Sequence, residues 1–355
     1  MRNLLSLLIL SIIISTGCEK EKDQPATQVT GSLKGVFVTN EGAFQAANAS
    51  ITFLSEDGGA YIPDIFNNAN GLPLGDILQS MTIHNGKGYL CVNNSQRVEV
   101  VSMDDFKKTG TVQGILSPRY FCGANTSEGY VSDWASNRVY KLNLTTLTII
   151  DSIQAGNGPE EMLIHSNKIF ICNSGGFGTD STLTIADVNT GNTIATPVIG
   201  VNPSSIITDH NNDIWILCKG SLGGDFTPTP DDAGGRLICM DPNSFTIKAA
   251  INFNYNQHPL QLRRNGSGDT LYFLNGSSFY TGAVYRMSIL DTVAPTGPLV
   301  NRDFYSLGIH PGNGTIYVGK SSFSTTTHAL RFSGNGVLKD SIAVGIGPNG
   351  FVFNN

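Results

Sequence analysis

The alternation of apolar and polar positions divides this chain into seven similar units. Each unit contains a short apolar segment that ends in Asn or another small or polar residue. A loop, a further strand, a turn and a last strand then follow. The segments are Val36–Asn40, Tyr89–Asn93, Tyr130–Trp134, Ile169–Asn173, Ile214–Cys218, Leu271–Asn275 and Ile316–Lys320. They begin roughly 40 to 55 residues apart, which is the interval expected of four-stranded propeller blades.

The innermost strand of each predicted blade tends to follow a proline. Proline suits this position because it fixes φ and has no N–H to donate into a ladder. The prolines are Pro118, Pro159, Pro203, Pro259 and Pro348. The last of them begins a strand with nothing after it, whereas the first blade lacks an innermost strand. We therefore predict an all-β, seven-bladed propeller, closed by pairing the C-terminal strand with the N-terminal blade.

The N-terminal segment has the pattern of an export signal followed by a lipid-anchor site. Arg2 precedes an apolar run from Leu4 to Ile14, which is too short to span a bilayer. Small residues then precede Cys18, which is the predicted site of lipidation. We predict a signal peptide over residues 1–17, a disordered tether over 18–33 and the propeller over 34–355.

Composition excludes some partners. The net charge is −6 and no basic stripe is present, which argues against a nucleic-acid partner. Forty glycines and 40% hydrophobic residues are typical of a turn-rich β protein. The five cysteines after Cys18 lie in strand patterns of different blades, so we predict free, buried thiols.

Two sets of loops should meet on one face around the central channel. The first set joins each outer strand to the next inner strand, and the second set joins the second strand to the third. Together they form a candidate ligand-binding face that mixes aromatic, amide and charged side chains. Its residues are Asn40, Glu41, Phe44, Asn94, Arg119, Tyr120, Trp134, Glu160, Phe177, Lys219, Phe226, His258, Gln261, Phe279, Tyr280, Tyr305, Lys320, Phe323 and Asn349.

No catalytic signature accompanies this face. The chain has no nucleophile elbow, phosphate loop or metalloprotease motif, so no catalytic residue, metal site or cofactor is predicted. His84, His165, His210 and His310 fall in the turn on the opposite face and lie too far apart to share a zinc ion. Glu160 and Glu161 are adjacent, so their side chains should point to opposite faces of the strand.

The residues Val36-Phe37-Val38-Thr39-Asn40 nearly reproduce a known repeat signature. They resemble the Tyr-Val-Thr-Asn (YVTN-type, YncE-like) propeller repeats, and Asn40 to Phe44 with Asn48 to Ile51 resembles the first blade of Bacteroidetes surface lipoproteins of that class. The resemblance implies a lipoprotein on the cell-surface side of the outer membrane. It also implies capture of a nutrient, in some members cobalamin, for a TonB-dependent transporter.

Three functions are consistent with this sequence. The first is a non-enzymatic binding propeller for a small molecule or glycan, with cobalamin named by the resemblance alone. The second is a propeller lyase or lactonase that holds a divalent ion through Glu41, Asp133 or Glu160. The third is a protein-interaction scaffold without a small ligand.

Overall fold

The computed structural model describes residues 33–223, 228–320 and 322–355. These residues form seven four-stranded antiparallel sheets. The innermost strands are β4 (Leu78–His84), β8 (Pro118–Gly123), β12 (Pro159–His165), β16 (Pro203–Thr208), β20 (Leu260–Arg264), β24 (Ser306–Ile309) and β28 (Pro348–Asn354). The recurring apolar segments are the second strands, namely β1 (Gly35–Asn40), β5 (Lys87–Val92), β9 (Glu128–Asp133), β13 (Lys168–Asn173), β17 (Ile214–Cys218), β21 (Thr270–Asn275) and β25 (Ile316–Gly319).

The third and outermost strands form the outer half of each sheet. The third strands are β2 (Ser50–Ser55), β6 (Arg97–Ser102), β10 (Arg138–Asn143), β14 (Leu183–Asp187), β18 (Arg236–Met240), β22 (Gly282–Ser288) and β26 (Thr327–Phe332). The outermost strands are β3 (Tyr61–Ile62), β7 (Lys108–Val112), β11 (Thr148–Gln154), β15 (Thr193–Ala195), β19 (Ile247–Asn252), β23 (Val300–Phe304) and β27 (Leu338–Val344). A short helix, α1 (Ile65–Asn70), follows β3 and buries Ile65 and Phe66.

The ring closes as the sequence predicts. Strand β28 pairs with β1 in antiparallel register, with Val36 opposite Phe353 and Val38 opposite Phe351. The sheet order is therefore β28-β1-β2-β3, and the first blade is built from both ends of the chain. Closure pairs the inner edge of β1, which would otherwise be exposed.

The core lies between neighbouring blades. The second strands are buried on both faces, because the adjacent sheets cover them from each side. Phe37 of the first blade, for example, packs on Phe106 of the second with ring centroids 5.3 Å apart. The cysteines of the described part, Cys91, Cys122, Cys172, Cys218 and Cys239, are free thiols, and all but the half-buried Cys122 are buried. The prediction that each lies in a different blade was wrong, because Cys218 in β17 and Cys239 in β18 are paired neighbours in one sheet. No helix of the described residues is both long and apolar enough to cross a membrane.

Candidate functional site

The innermost strands begin around a cavity of about 280 Å³ at one mouth of the central channel. Six of the seven blades contribute an inner strand whose register shifts by a bulge near its first residues. The bulges turn side chains toward the cavity, as bulges commonly do beside functional sites. The lining residues are Glu41, Gln79, Arg119, Tyr120, Trp134, Glu160, Glu161, Ser204, Ser205, Lys219, Leu260, Gln261, Phe279, Tyr280, Tyr305 and Asn349.

Amide side chains connect the blades across the cavity wall. Asn349 Nδ2 donates to the backbone oxygens of Leu78 and Gln79, at 2.8 and 3.1 Å, and its Oδ1 accepts from the Thr39 hydroxyl. Gln261 Oε1 accepts from the backbone N–H of Leu307 at 2.8 Å. The Asn349 bonds satisfy backbone groups at the bulge of β4, and the Gln261 bond joins β20 to β24. The wall is therefore fixed in shape before any ligand arrives.

Arg119 is the central positive charge of the wall. Its guanidinium donates to both carboxylate oxygens of Glu160, at 2.7 and 3.1 Å, and stacks over the Trp134 ring at 3.7 Å. Burial lowers the Arg119 pKa, but the carboxylate of Glu160 outweighs this, so the net pKa is raised and the side chain stays charged. A paired and stacked guanidinium of this kind is a rigid part of the wall.

Glu41 lies on another side of the cavity and is hydrogen-bonded to a tyrosine. The Tyr305 hydroxyl donates to Glu41 Oε2 at 2.5 Å. Burial raises the pKa of Glu41 above its ordinary value of 4.5, although this hydrogen bond and the charge of Arg119 partly oppose the rise. Burial also raises the pKa of Tyr305, so its hydroxyl remains a donor.

The position of Glu161 shows that one prediction from the sequence was wrong. Glu160 and Glu161 both border the cavity, although neighbouring strand residues were expected to point apart. The reason is the bulge between Pro159 and Met162, which breaks the alternation of side chains. Glu161 pairs with Arg263 at 3.2 Å and accepts the Ile206 N–H, and burial raises its pKa.

Lys219 projects from the loop after β17 into the cavity lining. Burial lowers the pKa of its ammonium, and the nearby charge of Arg119 lowers it further, while Glu160 opposes both effects. His258 holds the backbone of this residue, since its Nδ1 lies 3.0 Å from the Lys219 carbonyl oxygen. His258 itself is fully buried against the edge of Phe279. It therefore positions lining residues and does not border the cavity.

Aromatic side chains of four blades stand exposed on the loops around this mouth. They are Phe44, Phe177, Tyr280 and Phe323, which we call the rim aromatics, and they are 68, 101, 60 and 47% exposed. Phe177 meets Trp134 edge-on with centroids 5.6 Å apart, and Phe323 meets Tyr305 in the same way at 5.1 Å. Of the four, Tyr280 also lines the cavity.

Several predicted face residues have structural partners instead. Asn40 is fully buried, and its Nδ2 donates to the hydroxyls of Ser50 and Thr52 on the neighbouring strand. Asn94 donates to the carboxylate of Asp76. Lys320 lies outside the lining, where its backbone N–H donates to the His328 carbonyl oxygen. Phe226 and Cys18 lie outside the described residues.

The proposed acidic ligands of a divalent ion do not converge. Glu41 is bonded to Tyr305 and Glu160 to Arg119, whereas Asp133 is fully buried and caps the turn at Ser117 and Ser136. Within the described ranges, the one group with metal-ligand spacing is Asp209, Asp213 and Cys239. There the Trp215 indole N–H donates to Asp209, and Lys248 pairs with Asp213, so the acceptors are already used.

Five lining residues are absent from the predicted face, namely Gln79, Glu161, Ser204, Ser205 and Leu260. Gln79 occupies the bulge of β4, as Arg119 does in β8, but no proline precedes Leu78 to mark the position. Ser205 and Leu260 border the cavity because their strands are bulged, and the sequence carries no signal for a bulge at these positions.

The chain matches one known protein family in sequence. The sequence profile of a family described as a domain of unknown function, DUF5074, matches residues 34–311. No curated protein is similar enough in sequence to match this chain.

Among solved structures, the chain is similar to a quinonprotein alcohol dehydrogenase-like protein of Bacteroides thetaiotaomicron, with a TM-score of 0.69 and 16% identity over 92% of this chain and 79% of that one. It is also similar to 6-phosphogluconolactonase candidates of Bacteroides uniformis and Bacteroides fragilis. Their TM-scores are 0.65 and 0.64, with 11% identity over 90 and 94% of this chain and 100% of each of theirs. At these identities the likeness concerns the fold.

Proposed function

This chain belongs to the DUF5074 family, and we propose that it is a binding propeller that captures a nutrient at the cavity mouth. The observation that carries the proposal is the combination of a fixed polar wall with exposed rim aromatics at one end of the channel. Each wall carboxylate has a hydrogen-bonding or ionic partner among the described residues, which suits recognition better than bond cleavage.

The small volume of the cavity and the wide ring of rim aromatics support a ligand that lies across the mouth. The cavity volume of about 280 Å³ falls at the lower end of small-molecule sites. The rim aromatics extend the apolar surface well beyond it, since Phe177 is entirely exposed and Phe44 is more than half exposed. A wide, flat molecule with polar substituents could cover the rim and insert those substituents into the cavity. A corrinoid such as cobalamin has this form, and it is also the ligand that the repeat resemblance implies.

The path of the chain supports an anchor on the far side of the ring. Strand β1 runs toward the mouth, where Glu41 lines the cavity. Leu33, at the other end of this strand, bonds to Met103 in the turn between β6 and β7. A lipid anchor at Cys18 would therefore attach to the face opposite the cavity. In this proposal the propeller presents its mouth away from its own tether and passes the ligand to a TonB-dependent outer-membrane transporter.

A ligand screen tests the proposal directly. The propeller beginning at Gly31 is unfolded by heat with and without cobalamin, neutral glycans and haem. A compound at a hundred times its dissociation constant adds about 2.7 kcal/mol to the free energy of unfolding. We expect this stabilisation with cobalamin. Stabilisation by a glycan or haem alone would replace the named ligand, and a scaffold without a small ligand would respond to none of them.

A further inference from the structure

Lys219 is a cavity cation without a bonded partner. No described residue forms an ion pair or a hydrogen bond with its ammonium group, and Glu160 has both carboxylate oxygens engaged by Arg119. We propose that Lys219, with the hydroxyl of Tyr120 and the side-chain amide of Gln79, forms a subsite for an oxyanion of the ligand, either a carboxylate or a phosphoryl group. This inference rests on the proposed binding role of the same cavity and specifies the chemistry of its ligand.

The charges around the cavity favour an anion at this point. Glu160 is neutralised by Arg119 and Glu161 by Arg263, in each case by a direct ion pair. Glu41 accepts a hydrogen bond from the Tyr305 hydroxyl, and burial raises the pKa of its carboxyl. Each of the three carboxyl groups in the lining therefore has a bonded partner. Lys219 is the lining cation that forms no ion pair with a described residue.

Two further residues of the cavity lining carry polar groups that no described residue uses. The Tyr120 hydroxyl and the Gln79 side-chain amide both line the cavity, and neither makes a side-chain hydrogen bond in the described part of the chain. Burial, followed by the charges of Glu160 and Glu161, raises the pKa of Tyr120, so the hydroxyl keeps its proton and can donate. One ammonium and two neutral donors match the acceptor oxygens of a carboxylate or phosphoryl group.

Burial explains why such a subsite would be selective. Lys219 is only partly exposed in the cavity wall, and burial lowers the pKa of its ammonium group. A bound anion would replace the missing solvation, whereas a neutral ligand would leave the ammonium desolvated and unpaired. Discrimination between acidic and neutral ligands of the same shape should therefore be large.

Calorimetric titration with matched sugars tests this subsite. The probes are D-glucuronate for the carboxylate, glucose 6-phosphate for the phosphoryl group and D-glucose as the neutral analogue. We expect one or both anions to bind, with glucose at least about tenfold weaker. Lys219→Met should weaken the anion by a similar factor, and Lys219→Arg should restore most of the affinity. Lys107→Met, at an exposed lysine in a turn of the opposite face, is the control that should change nothing.

The outcomes separate this inference from the proposed function. Equal binding of glucuronate and glucose, no binding of either anion, or unchanged anion affinity in Lys219→Met would each overturn the subsite. Cobalamin binding that does not respond to Lys219→Met or to salt would overturn the subsite and leave the capture role standing. Anion binding without any response to cobalamin would support the subsite and remove the corrinoid as ligand.

Discussion

At the scale of single residues, the asparagine that ends the recurring segments is structural. Asn40 bridges the hydroxyls of Ser50 and Thr52, and Asn173 bridges those of Thr182 and Thr184 in the same way. Each amide thus holds the start of the third strand against the end of the second. The sequence placed Asn40 on the binding face because it sits at the right end of the strand. The following residue, Glu41, is the one that reaches the cavity.

The buried carboxyl of Glu41 makes the stability of the protein depend on pH. Its folded pKa is raised above the ordinary value of 4.5, so its favourable contribution is complete below that pH and is lost as pH rises through the folded pKa. Glu41→Gln removes this dependence. We expect the variant to gain stability relative to the wild type as pH rises from about 4.5 to about 8.

Urea unfolding across that pH range measures the effect. Asp104→Asn, in an exposed turn on the opposite face, is the control for the loss of one carboxyl. A difference between Glu41→Gln and the wild type that stays constant with pH would show that the carboxyl is not perturbed by its site.

At the scale of elements, the strands were predictable and the bulges were not. Apolar runs and turn residues predicted the second strands and the closing strand, because burial on both faces requires continuous apolar sequence. The bulge at Pro159–Met162 depends on which backbone groups pair across the sheet, which apolar periodicity does not encode. The alternation of side chains along a strand therefore predicted that Glu160 and Glu161 point to opposite faces. In the structure both residues border the cavity.

The closing strand β28 should be essential for the ring. Deleting residues 347–355 removes its pairing with β1 and the contacts of Phe351 and Phe353 with Tyr317. The exposed edge of β1 would then be free to pair with other chains. We expect the unfolding midpoint to fall by more than about 10 °C and the protein to associate.

Circular dichroism on heating and size-exclusion chromatography measure these two changes. The matched control is removal of the exposed terminal residue Asn355 alone, which should leave both properties unchanged. A monomeric truncated protein with the midpoint of the full chain would show that β28 contributes little to closure.

At the scale of the whole molecule, seven rigid blades create one opening that none of them could form alone. The inner strands of separate blades supply Arg119, Glu160, Gln261 and Asn349, and the amides bond across blades. The sequence was sufficient to predict the closed ring, because the ring follows from the order of the repeats. It could not predict which face residues meet, since the pairing of Arg119 with Glu160 and of Tyr305 with Glu41 depends on three-dimensional placement.

The central claim is that ligand capture occurs at the cavity mouth, and paired surface variants test it most directly. The mouth variant, Phe177→Ser with Tyr280→Ser, is compared with a variant of two exposed apolar residues on the opposite face, Leu290→Ser with Val337→Ser. Calorimetry then measures the affinity of each for the compound that stabilises the wild type. We predict that the mouth variant binds at least about tenfold more weakly and that the opposite-face variant binds as the wild type does. Equal affinity in both variants, or a loss confined to the opposite-face variant, would contradict the account.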